Sequence, residues 1–197
     1  MGRPREVTDE QIILAARRCF FARGVGVSAA EIARDLGVSH TTLFNRFGSK
    51  EGLLIAALGP PKKVPWVAEL ESGPDERPVR QQLVEHAQVI ATYFRELQRG
   101  LGLLQAAGID PSRAFESKED EESQPAQAYR TFVGWLQRAR DEGRIADCDI
   151  ETVASTILGS LHGYAFTARV CSGAKEPAEG EHYVERFIDI LWSGIGV

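Results

Sequence analysis

The sequence predicts an all-α protein of two domains. One is a small three-helix domain over residues 1–58, the other a larger helical domain over 59–197. Three observations lead there. Apolar residues recur at i, i+3 and i+4 in segment after segment, and no stretch shows the period-two alternation of a half-buried strand. A stiff interruption, Gly59-Pro60-Pro61-Lys62-Lys63-Val64-Pro65, marks a boundary. Charge changes sign at the same place: residues 1–65 carry ten Lys/Arg against six Asp/Glu, residues 66–197 thirteen against 22. A basic head on an acidic body suits a nucleic-acid-facing part joined to one that stays off the polyanion.

Gly2-Arg3-Pro4-Arg5 is a short basic arm, able to lie along phosphates or enter a minor groove. Thr8-x-x-Gln11 is a capping box that opens the first helix. Ile12, Ala15, Ala16, Cys19 and Phe20 form its apolar stripe, with Cys19 expected as a buried core thiol, and Arg23-Gly24 closes it. Ser28 opens a second capping box with Glu31. Ile32 and Leu36 share a face, Ala33 is small enough for a close helix crossing, and Gly37 suits the left-handed turn between two helices. Val38 plugs that turn and Ser39 caps the next helix. There Leu43 and Phe47 face inward, which at 100° per residue points Thr41 and Asn45 outward, with Thr42 and Phe44 on the flanks. Short polar side chains on the outer face of a short second helix are what major-groove reading requires. Asn45 is the only asparagine in the chain, and its amide can donate to and accept from an adenine edge. Ser49 caps a fourth helix with Leu53, Leu54, Ala57 and Leu58 inside. Its positive N-terminus and Lys50 form a phosphate site.

In the larger domain the spacing predicts a short helix at Trp66–Leu70. A long helix follows from about Pro78 to Arg99, bent at Gly100-Leu101-Gly102 into a shorter one ending near Gly108. Residues 116–124 are strongly acidic and read as a solvated loop. Pro125 starts a helix that ends near Gly143. Asp149 caps another, carrying Val153, Ile157, Leu161 and Ala165, in which Gly159, Ser160 and Gly163 permit close crossing. Tyr183, Phe187, Ile190 and Leu191 line a last helix over about 179–192.

Chemistry-bearing motifs are absent. There is no G-x-S-x-G, P-loop or dinucleotide-binding glycine pattern, and no metal-ligand spacing. The four histidines, His40, His86, His162 and His182, have no partners at catalytic spacing, so neither an enzyme nor a cofactor is expected. Three widely spaced cysteines, Cys19, Cys148 and Cys171, fit a reducing cytoplasm. No run is long and apolar enough for a membrane span or signal peptide. An alternative reading is a redox sensor using Cys148 or Cys171; a helical enzyme is a more distant one.

As a set, these residues resemble the TetR family of bacterial transcriptional regulators. The match runs from Thr8 with Ile12/Ile13-Leu14-Ala15-Ala16, through Phe20/Phe21-Ala22-Arg23-Gly24 and Glu31-Ile32-Ala33-Arg34-Asp35-Leu36-Gly37-Val38-Ser39. It continues to Leu43-Phe44-Asn45-Arg46-Phe47 and Ser49-Lys50-Glu51-Gly52-Leu53-Leu54. The resemblance implies a ligand-responsive repressor of a palindromic double-stranded DNA operator. It also implies a homodimer paired through the last two helices, and a small hydrophobic effector. The residues expected at DNA are Arg3, Arg5, Ser28, Ser39, His40, Thr41, Thr42, Phe44, Asn45, Arg46 and Lys50. Those expected around the effector are His86, Tyr93, Phe94, Gln105, Trp135, His162 and Phe166. The sequence departs from the family pattern at Phe44, usually Tyr, and at Arg46, usually His. Gly52 replaces a better helix former, a deficit of up to about 1 kcal/mol.

Overall fold

A computed structural model describes residues 7–116, 123–171 and 180–195, and all regular structure among them is helical. The described residues divide into two compact units, those of Met1–Pro61 with Arg99–Lys118 and those of Lys62–Gln98 with Glu119–Val197.

The first unit contains α1 (Asp9–Arg23), α2 (Ala29–Leu36), α3 (His40–Phe47) and α4 (Lys50–Leu58). Each starts at the hydroxyl residue that the sequence points to. Thr8 Oγ1 accepts from Gln11 N, Ser28 Oγ from Glu31 N, Ser39 Oγ from Thr42 N and Ser49 Oγ from Gly52 N. Each cap satisfies a donor that helix geometry leaves open. The core is Ile12, Ala16, Phe20, Ile32, Ala33, Leu43, Leu53, Leu54, Ala57 and Leu58, joined by Leu104 and Ile109. Arg17 ties α1 to the end of α4, donating to the Ala57 and Gly59 carbonyls at 2.8 Å each. A 3₁₀ turn, Pro111–Phe115, capped by Asp110, also belongs to this unit.

The second unit holds α5 (Val67–Glu71), most of α6 (Val79–Ala106), α7 (Gln124–Asp141), α8 (Ile150–Cys171) and α9 (Gly180–Ile195). Its core includes Leu70, Leu83, Ile90, Phe132, Trp135, Leu136, Ile157, Leu161 and Ile188. Gln82, 2% exposed, latches the loop before α6 by accepting from Asp75 N and donating to the Asp75 and Arg77 carbonyls. α9 extends past the expected end near 192, because Ile195 is buried and its carbonyl accepts from Ala146 N at 2.8 Å.

Three expectations change. The bend at Gly100–Gly102 does not occur, since α6 is continuous. Gly100 instead serves close packing: a Cβ there would collide with the Leu58 carbonyl, lying only 3.0 Å from its carbon. Among the described residues Gly159 and Gly163 mediate no crossing, because a Cβ at either meets nothing within 4 Å. Cys19 is half-buried rather than core, with its Sγ 3.2 Å from Arg23 Nη2 at the edge of α1. Most of the acidic stretch 116–124 lies outside the described residues. Among those residues no helix is long and apolar enough to cross a membrane, and no cluster could hold a metal ion.

Candidate nucleic-acid interface

The candidate interface lies on α2, the turn and α3. Gly37 takes φ +68°, and the N–H of Val38 bonds back to the Ala33 carbonyl at 3.0 Å, the double closure of a Schellman turn. Every side chain at this position except glycine would carry a left-handed penalty of roughly 1–2 kcal/mol. The turn aims α3, and Leu43, 2% exposed, anchors it with half-buried Phe47. His40, Thr41, Phe44 and Asn45 are left exposed. The His40 ring stands edge-on to Phe44, centroids 4.4 Å apart. This aromatic pair flanks the face that carries Thr41 and Asn45.

Other candidates are already engaged. The Ser28 hydroxyl accepts from Glu31 N and donates to Glu31 Oε2 at 2.7 Å. The Ser28 backbone N–H also donates to Glu31 Oε2 at 3.0 Å, and this bond, with the hydroxyl's, stabilises the carboxylate and lowers its pKa. Ser39 and Thr42 share a 2.8 Å hydroxyl bond at the start of α3. Arg46 turns back to α1, donating to the Val7 carbonyl and pairing with Asp9 at 3.0 Å. It braces α3 against α1 in this structure. Lys50 is half-buried at the first position of α4, beside the Ser49 cap. Arg3 and Arg5 lie outside the described residues.

Gly52 takes a meaning that its helix propensity hides. A Cβ on it would fall inside the Phe47 carbonyl oxygen, 3.3 Å from that group's carbon. Only glycine lets α4 begin this close to the last residue of α3. Arg23 is another brace that spacing alone did not reveal. It pairs with Asp35 at 2.8 Å and reaches Glu31 at 3.9 Å, fastening α1 to α2.

The effector candidates fall in several places. His86 stands edge-on to Trp135 at 5.2 Å, and Phe94 tilts against Tyr93 at 5.5 Å and faces His162 at 5.2 Å. Burial lowers the His86 pKa below the usual histidine range. His162 is linked to Gln98, which is 5% exposed. Gln98 Oε1 accepts from Arg169 Nε at 3.2 Å, so its amide nitrogen faces His162 Nε2 at 2.9 Å. That orientation makes Nε2 the acceptor and puts the ring proton on Nδ1. Gln105 is exposed and belongs to the first unit. Phe166 is 46% exposed beneath the Arg169 guanidinium, so neither residue is in the second unit's core. Sequence reasoning left Trp66 out of the site. It is 2% exposed, edge-on to Tyr93 and Phe132, and its indole N–H, like that of Trp135, meets no acceptor. Each such buried donor costs about 1–3 kcal/mol until one is supplied.

Residues 12–57 match the family model described as bacterial regulatory proteins, tetR family. Over 109 residues the chain is 33% identical to the HTH-type transcriptional repressor BdcR of Escherichia coli (strain K12). Residues 12–57 therefore carry a TetR-type DNA-binding segment. The alignment spans about half the length of that curated relative, 55% of it and 55% of this chain. The fold extends the likeness to nearly the whole chain. A structure from Mesorhizobium loti MAFF303099 assigned to the TetR family superposes with a TM-score of 0.66 at 21% identity, covering 96% of each chain. A TetR-family transcriptional regulator from Pectobacterium atrosepticum gives 0.65 at 18% identity, covering 95% of this chain and 93% of that one. Within the matched segment the sequence departs from the resembling pattern at Phe44, Arg46 and Gly52: Phe44 packs against His40, Arg46 pairs with Asp9, and a Cβ added at Gly52 would overlap the Phe47 carbonyl.

Proposed function

We propose that this chain is a homodimeric repressor that reads a palindromic operator with α3 and leaves it when a small hydrophobic molecule enters the second unit. The observation that carries the DNA-reading role is the division of α3. Leu43 and Phe47 hold one face while Thr41 and Asn45 stand exposed on the other. In this reading Asn45 and Thr41 contact base edges, and Lys50 with the capped start of α4 grips phosphate. The domain division, 1–58 as the reading head and 59–197 as the regulatory and dimerisation part, is proposed with it.

Self-association is supported by apolar surface on α8 and α9. Gly159, Gly163, Phe166 and Val170 share one face of α8 at helical spacing; Phe166 and Val170 are 46% and 59% exposed, and no described residue comes within 4 Å of a Cβ built on either glycine. Ile190 on α9 is 77% exposed. A second copy laid along these helices would bury them and give the two-fold symmetry that a palindrome demands.

The test is selection from a randomised duplex library, followed by footprinting and sedimentation. The expected result is an inverted-repeat site protected by a dimer. Enrichment of no sequence, or a monomer on a single half-site, overturns the reading.

A further inference from the structure

We propose that the molecule this regulator responds to is uncharged, carries a carbonyl-type oxygen, and is held through that oxygen by a buried indole N–H, that of Trp66 or of Trp135. The inference rests on the ligand-responsive reading above and adds the ligand's chemistry. Among the described residues, these two nitrogens are the buried side-chain atoms without a hydrogen-bond partner. With 2% and 0% of their surfaces exposed, the two side chains are closed to bulk water. Buried indole N–H groups ordinarily find an acceptor. Two unmet donors in one core therefore point to an acceptor from outside the chain.

Their surroundings define the rest of the molecule. The Trp66 ring lies edge-on to Phe132 at 6.5 Å and to Tyr93 at 6.4 Å. Trp135 follows Phe132 by one turn of α7, so both indoles flank the same aromatic stretch. Both belong to the apolar cluster with Leu70, Leu83 and Ile90. Burial keeps the His86 ring beside Trp135 uncharged at neutral pH, so it offers no counter-charge to an anion. A carboxylate or ammonium would be desolvated here without a partner. A pure hydrocarbon would leave both donors unmet. A ketone, ester or amide with an apolar remainder satisfies both conditions.

The experiment uses the full chain with nitrogen-labelled indoles, so that Trp66, Trp135 and Trp192 each report by NMR. Trp192 serves as an internal control. The probes are acetophenone, its hydrocarbon counterpart ethylbenzene, benzoate and benzylamine. Acetophenone is expected to move the Trp66 or Trp135 N–H downfield, to leave Trp192 in place, and to bind about tenfold tighter than ethylbenzene. Trp66→Phe and Trp135→Phe assign the resonances and should erase that preference. The measurement on the unaltered chain stands even if a variant folds poorly. Several outcomes overturn the proposal: equal binding of acetophenone and ethylbenzene, stronger binding of either charged probe, or no response to acetophenone up to its solubility limit. Indole protons already shifted downfield and indifferent to every probe would indicate a trapped water instead, and would also overturn it. Operator release is measured in parallel. Indole engagement without release sinks the regulatory reading alone. Release by a molecule that leaves both indoles untouched sinks this inference alone.

Discussion

Replacing Gly52 by Ala separates two accounts of the glycine. If Gly52 is merely a weak helix former in α4, alanine should stabilise the chain by about 1 kcal/mol. The structure predicts the opposite sign. The new Cβ would overlap the Phe47 carbonyl oxygen, a main-chain atom that already accepts from Ser49 N at 2.8 Å and cannot swing away as a side chain could. Backbone shifts forced by an added methyl typically cost about 1–3 kcal/mol. Set against the propensity gain, the net expectation is a destabilisation of up to about 2 kcal/mol. Gly134, inside α7, is the control, because a Cβ there meets nothing within 4 Å. Gly134→Ala should stabilise by several tenths to about 1 kcal/mol. Urea unfolding followed by helical circular dichroism gives both values. DNA binding by Gly52→Ala should weaken further than stability alone implies, because Phe47 ends α3 and any relief displaces the reading helix. Equal stabilisation by the two alanines would refute the close-packing argument.

Asn45→Ala should lose about 1–3 kcal/mol of operator affinity and relax one base position per half-site, whereas Lys50→Ala should weaken all sequences alike and reduce the salt slope by about 1 per head; binding to an operator library at several salt concentrations shows whether the roles are reversed. Ile190→Asp should shift the monomer–dimer equilibrium toward monomer in sedimentation without changing helix content, since Ile190 is 77% exposed in the single chain; an unchanged dimer removes α9 from the interface. His86 has a lowered pKa in the folded chain, so the unfolded chain takes up its proton first as pH falls past about 6.5. The stability linked to this residue is therefore complete above that value and declines below it. Thermal unfolding across pH should show a shallower decline for His86→Gln, and identical slopes would contradict the burial argument. Ser28→Ala should cost about 0.5–2 kcal/mol through the lost cap, and its acid sensitivity below the Glu31 range should fall as well, because the depressed Glu31 pKa stabilises the fold only while the carboxylate is ionised.

What the sequence determined by itself was local. Thr8, Ser28, Ser39, Ser49 and Asp149 start helices where spacing placed them, because a cap needs only a backbone N–H three residues away. The outward face of α3 was legible for the same reason: Leu43 fixes one side and helical rotation fixes where Thr41 and Asn45 point. The family followed from that run of residues and from no other part of the chain. Tertiary structure decided everything that depends on neighbours distant in sequence. Gly100 looked like a hinge until Leu58 was beside it, and Gly159 and Gly163 read as a seam for close crossing, yet no described residue of the same chain meets a Cβ built on either. Arg46 looked free for phosphate until Asp9, 37 positions away, accepted its guanidinium. Trp66 was passed over because periodicity reports that a side chain is buried, whereas whether its N–H finds an acceptor depends on which backbone carbonyls and polar groups the fold brings within about 3 Å.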